Sequence, residues 1–276
     1  MFDRLVWESD AVARLDELAF RIEQVEADES SLGLEDGYFA LYKMRPHLEE
    51  YARYWSSRPE FEPRNVFELG IWDGGSVALW FELFHPRKHV GVDVAADRDT
   101  RYFERYVRAR GLEDRIAAHW GTDQGDKHRL WEIVAEEFDG LLDLVIDDAS
   151  HLYGPTRASL EALFPLLRPG GLYVIEDWAW GHWTSLNPPL HPDVDAAALT
   201  RLVTELTAVL GTARDVVESI DARQGFVVVE RGAAELEPRS FALDRHMEWS
   251  GSRVSGVRWR AGAPLRAVRR LIRRGG

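Results

Sequence analysis

Asn65-Val66-Phe67-Glu68-Leu69-Gly70-Ile71-Trp72-Asp73-Gly74-Gly75-Ser76 runs from an apolar stretch of strand length, through a glycine-bearing turn, into helical spacing. A strand that feeds a helix in this way is the first half of a β-α-β unit, whose next strand must lie parallel to the first. Gly70 and Gly74 allow backbone to approach a ligand closely. They stand four apart behind Glu68, which departs from the Gly-x-Gly-x-x-Gly spacing of a dinucleotide site. A plain tight turn with no ligand is the alternative.

Downstream, strands and helices alternate. Strands are expected near 65–71, 88–94, 115–120, 142–148 and 171–177, with helices near 75–84, 98–111, 126–138, 154–167 and 193–210. A hairpin then closes the series with Val216 to Ile220 and Phe226 to Glu230. The expected fold is α/β: a Rossmann-like, doubly wound, mostly parallel seven-stranded sheet with a C-terminal antiparallel hairpin. Upstream, Val12, Leu15, Leu18, Ala19, Ile22 and Val25 recur at intervals of three and four, and a second helical pattern covers 37–55. This predicts a helical N-terminal region over 1–62, serving as cap, lid or homo-oligomer contact. The α/β domain then spans 63–232, and an extension spans 233–276.

The 276 residues are 45% hydrophobic, enough for a large core. Without cysteine there is no disulfide, thiolate metal site or cysteine nucleophile, so any metal must be held by oxygen or imidazole. The net charge is −13, although residues 253–276 hold eight arginines and no acid. So acidic a body is a poor match for nucleic acid. There is no leader-like start and no membrane-length apolar window, so no membrane partner and a cytoplasmic location are expected. The basic tail, with Val254, Val257, Trp259, Leu265, Val268, Leu271 and Ile272 among its arginines, would pack on the acidic body or remain mobile, unless it meets an anionic partner.

Three strand ends carry acids. The second strand closes on Asp93, where a carboxylate can accept from both hydroxyls of a ribose or cap a helix. Together with the glycine turn it suggests an adenosine ligand. The fourth strand ends in Asp147-Asp148, with His151 three residues on, and the fifth ends in Glu176-Asp177. Carboxylates crowded at adjacent strand ends hold a cation, share a proton or stay solvated. Side chains alternate along a strand, so it cannot be assumed that both members of each pair face one site. His151 is a candidate general base, with a helix-start hydrogen bond or metal ligation as its other roles.

The run Glu68 to Gly75, Asp93 and the final hairpin resemble class I S-adenosylmethionine-dependent methyltransferases over roughly residues 64–231. Ile146-Asp147-Asp148-Ala149-Ser150-His151 with Val174-Ile175-Glu176-Asp177 resembles, more narrowly, the magnesium-dependent macrolide sugar O-methyltransferases of the mycinamicin and tylosin type. The resemblance implies S-adenosylmethionine near Glu68, Gly70, Trp72, Gly74 and Ser76, its ribose on Asp93, and its adenine beside Thr122, Asp123 and Gln124, with Asp147 adjacent. It also implies Mg2+ or another divalent cation on Asp148, Glu176 and Asp177. Asp148 and His151 would then be the catalytic pair, and a small hydroxylated acceptor the substrate. Beyond the fifth strand, Trp178, Trp180, His182 and Trp183 read as a substrate loop or as packing against the N-terminal region, and His182 is a second candidate base. Metal-independent methyl transfer and a non-catalytic cofactor-binding module are the competing functions.

Overall fold

In the computed structural model, residues 1–22, 37–97, 100–182 and 198–247 are described. The chain opens with strands β1 (Leu5–Ser9), β2 (Val12–Leu15) and β3 (Leu18–Ile22), then β4 (Phe39–Leu41) and helix α1 (Arg45–Ser56). They form a four-stranded sheet in the order β1-β2-β3-β4, antiparallel except for the parallel β3–β4 pair. The helix expected from the spacing of Val12 to Val25 is therefore corrected for its described part. The turn responsible is Asp16-Glu17, which joins Leu15 to its partner Leu18 with Asp16 at φ 52°. Aspartate tolerates that left-handed conformation. Once the chain reverses there, Ala13 and Leu15 on one strand and Leu18, Phe20 and Ile22 on the next each recur every second residue and are buried. A three-and-four spacing and two strands broken by a turn select nearly the same apolar positions.

The second expected helix, over 37–55, is shortened to α1. Pro46 lies in the first turn of α1, where its missing N–H costs nothing. A helix beginning at 37 would drive its ring into the preceding turn.

The main sheet comprises β5 (Asn65–Leu69), β6 (Lys88–Asp93), β7 (Ile116–Trp120), β8 (Leu142–Asp147), β9 (Leu167–Glu176), β10 (Val217–Ala222) and β11 (Phe226–Arg231). Helices α2 (Gly75–Phe84), α3 (Arg101–Ala109), α4 (Lys127–Glu137), α5 (Tyr153–Leu163) and α6 (Ala198–Thr212) connect them. The strand order is β10-β11-β9-β8-β5-β6-β7, parallel from β7 to β9 and antiparallel at β11 and β10, as the sequence predicts. Alternate residues of each strand face two cores. One contains Val66, Leu144, Val174 and Val228 with α2, α1 and the N-terminal sheet; the other contains Phe67, Val145, Tyr173 and Val227 with α4, α5 and α6. In the first core Trp80 is fully buried, with the rings of Phe2, Tyr51 and Phe84 around it.

The chain leaves β5 toward β6 and β7 and returns on its other side at β8. Ligands of open α/β sheets bind where the winding reverses, outside the carboxyl ends of the strands. Here that is the junction of β5 and β8, where Leu69 pairs with Asp147 and Asp148 N–H donates to Leu69 O at 2.9 Å. No described helix is long and apolar enough to cross a membrane.

Candidate functional site

The turn after β5 is built for close approach. Gly70 has φ 81°, and a Cβ there would stand 2.2 Å from the backbone oxygen of Asp148. Trp72 follows at φ 51°, its ring centroid 4.7 Å from that of Tyr42, and Gly74 at φ 95° abuts the Phe103 ring. Ser76 is buried in the first turn of α2. Asp93 accepts from Trp72 N–H at 2.8 Å and from Ala95 N–H at 2.9 Å, one bond to each oxygen. A carboxylate has about four lone-pair sites, so both oxygens keep capacity for a diol. Thr122 is anchored through its N–H to Asp93 O at 2.9 Å. Asp123 accepts from Gly125 N–H at 2.7 Å.

Glu68, Gln124 and Asp147 hold this frame from within. Glu68 is buried with one oxygen 3.0 Å from His89 Nε2 and the other without a hydrogen-bond partner. Asp147 accepts from Gln124 Nε2 at 2.5 Å, Ser159 Oγ at 2.6 Å and Tyr173 OH at 2.7 Å. Burial raises its pKa, while those three donors oppose the rise. Gln124 Oε1 accepts from Ser150 Oγ at 2.6 Å, tying the loop after β7 to the loop after β8.

The acids at the ends of β8 and β9 form one cluster. Lys43, 2% exposed, lies between two of them and donates to Asp148 Oδ2 at 2.5 Å and Glu176 Oε2 at 2.6 Å. Tyr51 OH donates to Glu176 Oε1 at 2.9 Å, and its ring stacks on Phe226 at 4.1 Å. His47 Nε2 lies 3.8 Å from Asp177 Oδ1, an oxygen that is buried and makes no hydrogen bond. His151 Nε2 lies 3.9 Å from Asp148 Oδ1. One ligand atom from each of Asp148, His151 and Asp177 can be chosen so that all lie within 4.8 Å of one another. His151 and Asp177 are both left-handed, at φ 54° and 50°, conformations that cost energy for non-glycine residues and concentrate at functional sites.

Burial would lower the pKa of Lys43, but Asp148 and Glu176 outweigh it and hold the ammonium protonated. Burial raises Asp148 above the ordinary carboxylate range, against the pull of Lys43 and His151. It raises Glu176 as well, with repulsion from Asp148 added, and raises Asp177 against the pull of His151. Three carboxylates gather here around one ammonium with two imidazoles, His47 and His151, at their edge, an acid-rich setting that favours a cation.

Of the aromatic loop, Trp178 Nε1 donates to Arg223 O at 2.7 Å and Trp180 Nε1 to His151 O at 3.2 Å. Both indoles are partly buried against the second core. His182 is exposed, with Nε2 2.9 Å from Thr200 Oγ1. Trp183 and the arginine-rich tail lie outside the described residues. Sequence reasoning missed Lys43, His47 and Tyr51, all from the N-terminal region.

Residues 67–178 match a family model described as a methyltransferase domain. The demethylmacrocin O-methyltransferase of Streptomyces fradiae is 34% identical over 192 residues, which is 67% of this chain and 42% of that protein. The mycinamicin VI 2''-O-methyltransferase of Micromonospora griseorubida is 31% identical over 159 residues, covering 55% of this chain and 35% of its own length. The chain thus spans less than half the length of these curated relatives. Among solved structures, the MycE methyltransferase of the mycinamycin pathway, in complex with Mg, SAH and mycinamycin VI, aligns with TM-score 0.49 and 29% identity over 67% of this chain and 49% of that one.

Proposed function

Because residues 67–178 match a family model described as a methyltransferase domain, we propose that this protein transfers a methyl group from S-adenosylmethionine to a hydroxyl of a sugar or another small natural product. The observation that carries the proposal is the convergence of Asp148, His151 and Asp177 beside the Gly70 turn, at the point where the winding of the sheet reverses. The names of the relatives, which specify O-methylation of demethylmacrocin and mycinamicin VI, support an oxygen acceptor.

The donor half would consist of the turn from Gly70 to Ser76, with Asp93 accepting from the ribose diol and Thr122 and Asp123 bordering the base. Glu68, Gln124 and Asp147 act from beneath it, holding the turn and the loops after β7 and β8 in place. When bound, the cofactor supplies a methyl group on a positively charged sulfur, which leaves as a neutral thioether.

The acceptor half fits a divalent cation. Asp177 Oδ1 is a buried carboxylate oxygen without a hydrogen bond, and Asp148 Oδ1 faces the same space as His151. Asp148 and Asp177 would hold the ion, and oxygen donors suit magnesium. Bound there, the ion supplies Lewis acidity that eases ionisation of a hydroxyl. His151 Nε2 would take the hydroxyl proton, leaving the oxygen to accept the methyl group the cofactor would supply. The backbone of His151 is fixed by Trp180, so the imidazole is presented from a braced turn. Trp178 and Trp180 would define the edge of the acceptor pocket.

Methyl transfer without a metal is the second reading, and Lys43 is what favours it, because the cluster already contains one cation. The experiment is methyl transfer to a panel of deoxysugar-bearing acceptors, read as a mass gain of one methylene, with and without EDTA. Transfer that stops in EDTA and returns with Mg2+ supports the first reading. Full turnover in EDTA supports the second, and no transfer to any hydroxylated acceptor despite cofactor binding refutes both.

A further inference from the structure

Lys43 is the most deeply placed cation in the site, and its surroundings divide the carboxylate cluster in two. On one side both oxygens of Glu176 are engaged, Oε2 by the Lys43 ammonium at 2.6 Å and Oε1 by Tyr51 at 2.9 Å. On the other side Asp177 Oδ1 has no hydrogen bond, and Asp148 presents Oδ1 toward His151 while its Oδ2 is held by Lys43. Asp148 is the shared wall between the two halves.

A divalent cation on Glu176 would have to sit against an ammonium that is 2% exposed and cannot retreat into water. Lys43 and Tyr51 already occupy both oxygens of Glu176, whereas Asp148 spends only Oδ2 on the ammonium and keeps Oδ1 for an ion on the side away from Lys43. The same ammonium keeps the carboxylate of Asp148 aimed, and the side chain that delivers it is braced. Lys43 follows β4, and a Cβ on Gly75 would meet the Ala40 oxygen of that strand at 2.1 Å, so β4 lies directly against the start of α2. Tyr51 is equally fixed by its stack on Phe226.

We propose that Lys43 is a positioning residue that occupies the Glu176 side of the cluster, so that a divalent cation is held by Asp148 and Asp177 and Glu176 is not one of its ligands. The proposal rests on the reading of this site as one for a divalent cation, and it departs from the ligand set implied by the resemblance to magnesium-dependent O-methyltransferases.

The test uses Mn2+ as probe and the full chain as protein, with bound and free ion distinguished by the paramagnetic resonance signal of free Mn2+. Glu176→Gln should retain Mn2+ affinity within about threefold, whereas Asp177→Asn should lose about 100-fold or more. Lys43→Met should bind Mn2+ about tenfold more tightly, since Glu176 becomes available, and the gain should vanish in Lys43→Met/Glu176→Gln. A Glu176→Gln variant that weakens Mn2+ as much as Asp177→Asn overturns the proposal. Where Lys43→Met does not fold, by circular dichroism, the Glu176→Gln and Asp177→Asn pair decides alone. Mn2+ binding seen in Lys43→Met but absent from the unaltered protein upholds the exclusion by Lys43 and refutes the divalent-cation reading of the native site. Absence of binding in every variant overturns both.

Discussion

Gly70→Ala separates two costs that are usually confounded. The first is conformational: Gly70 has φ 81°, and an alanine held in the left-handed region costs about 1–2 kcal/mol. The second is steric. The new Cβ would lie 2.2 Å from Asp148 O, 2.6 Å from its carbonyl carbon and 2.7 Å from Ala149 Cα, so the loop after β8 must retreat by about 1 Å. All three atoms are backbone, and no side-chain rotation relieves them. The retreat stretches the Asp148 N–H bond to Leu69 O, now 2.9 Å, at a further cost of about 1 kcal/mol. The total is about 2–3 kcal/mol, or a fall in melting temperature of about 5–10 °C for a domain of this size. A displacement of about 1 Å in a positioned catalytic group lowers rate about 100-fold. Gly111→Ala is the control, since Gly111 has φ 61° with nothing within 4 Å of a Cβ. It should show the conformational cost alone, with full turnover. Urea denaturation and methyl-transfer rates on the two variants check this, and equal losses in both would refute the steric reasoning.

Tyr51→Phe removes the donor to Glu176 Oε1 in a buried setting and should cost about 1.5–3 kcal/mol in urea denaturation, with unaltered stability as the contrary result. His151→Ala should lower turnover about 100-fold or more while calorimetric cofactor affinity stays within about twofold; an unchanged rate removes it as base. Asp177→Asn addresses pH. Burial raises the Asp177 pKa in the fold, so the native carboxyl holds its proton to higher pH than the unfolded chain does, and stability present below the ordinary carboxylate range is lost as pH rises through the raised value. In metal-free buffer the asparagine variant should therefore gain stability over the parent at about pH 7 and little at about pH 4, and an equal difference at both would contradict the assignment.

The parallel sheet was legible because its strands are largely apolar runs ending in glycine or acid and separated by helical spacing, a pattern with few other solutions. The N-terminal sheet was not. Leu15 and Leu18 stand three apart, as on a helix face, yet here they face each other across a two-residue turn whose only signal is Asp16. Of the site, the acids and His151 stand out in sequence because they lie immediately after buried strands. Lys43 does not, because Leu41-Tyr42-Lys43-Met44 reads like any short surface segment, and the carboxylates it meets are 105 and 133 residues away. The only hint was a charge imbalance: crowded acids require a cation, and local sequence does not identify which one.

That separation along the chain bears on when the site comes into being. During synthesis Lys43 and Tyr51 emerge before Asp148 and Glu176, the acids they meet in the folded protein. Burying the ammonium before the acids at the ends of β8 and β9 are in place would strand a charge. Docking of the N-terminal region and completion of the carboxylate cluster are thereby coupled, because the buried ammonium and the acids at the ends of β8 and β9 need one another.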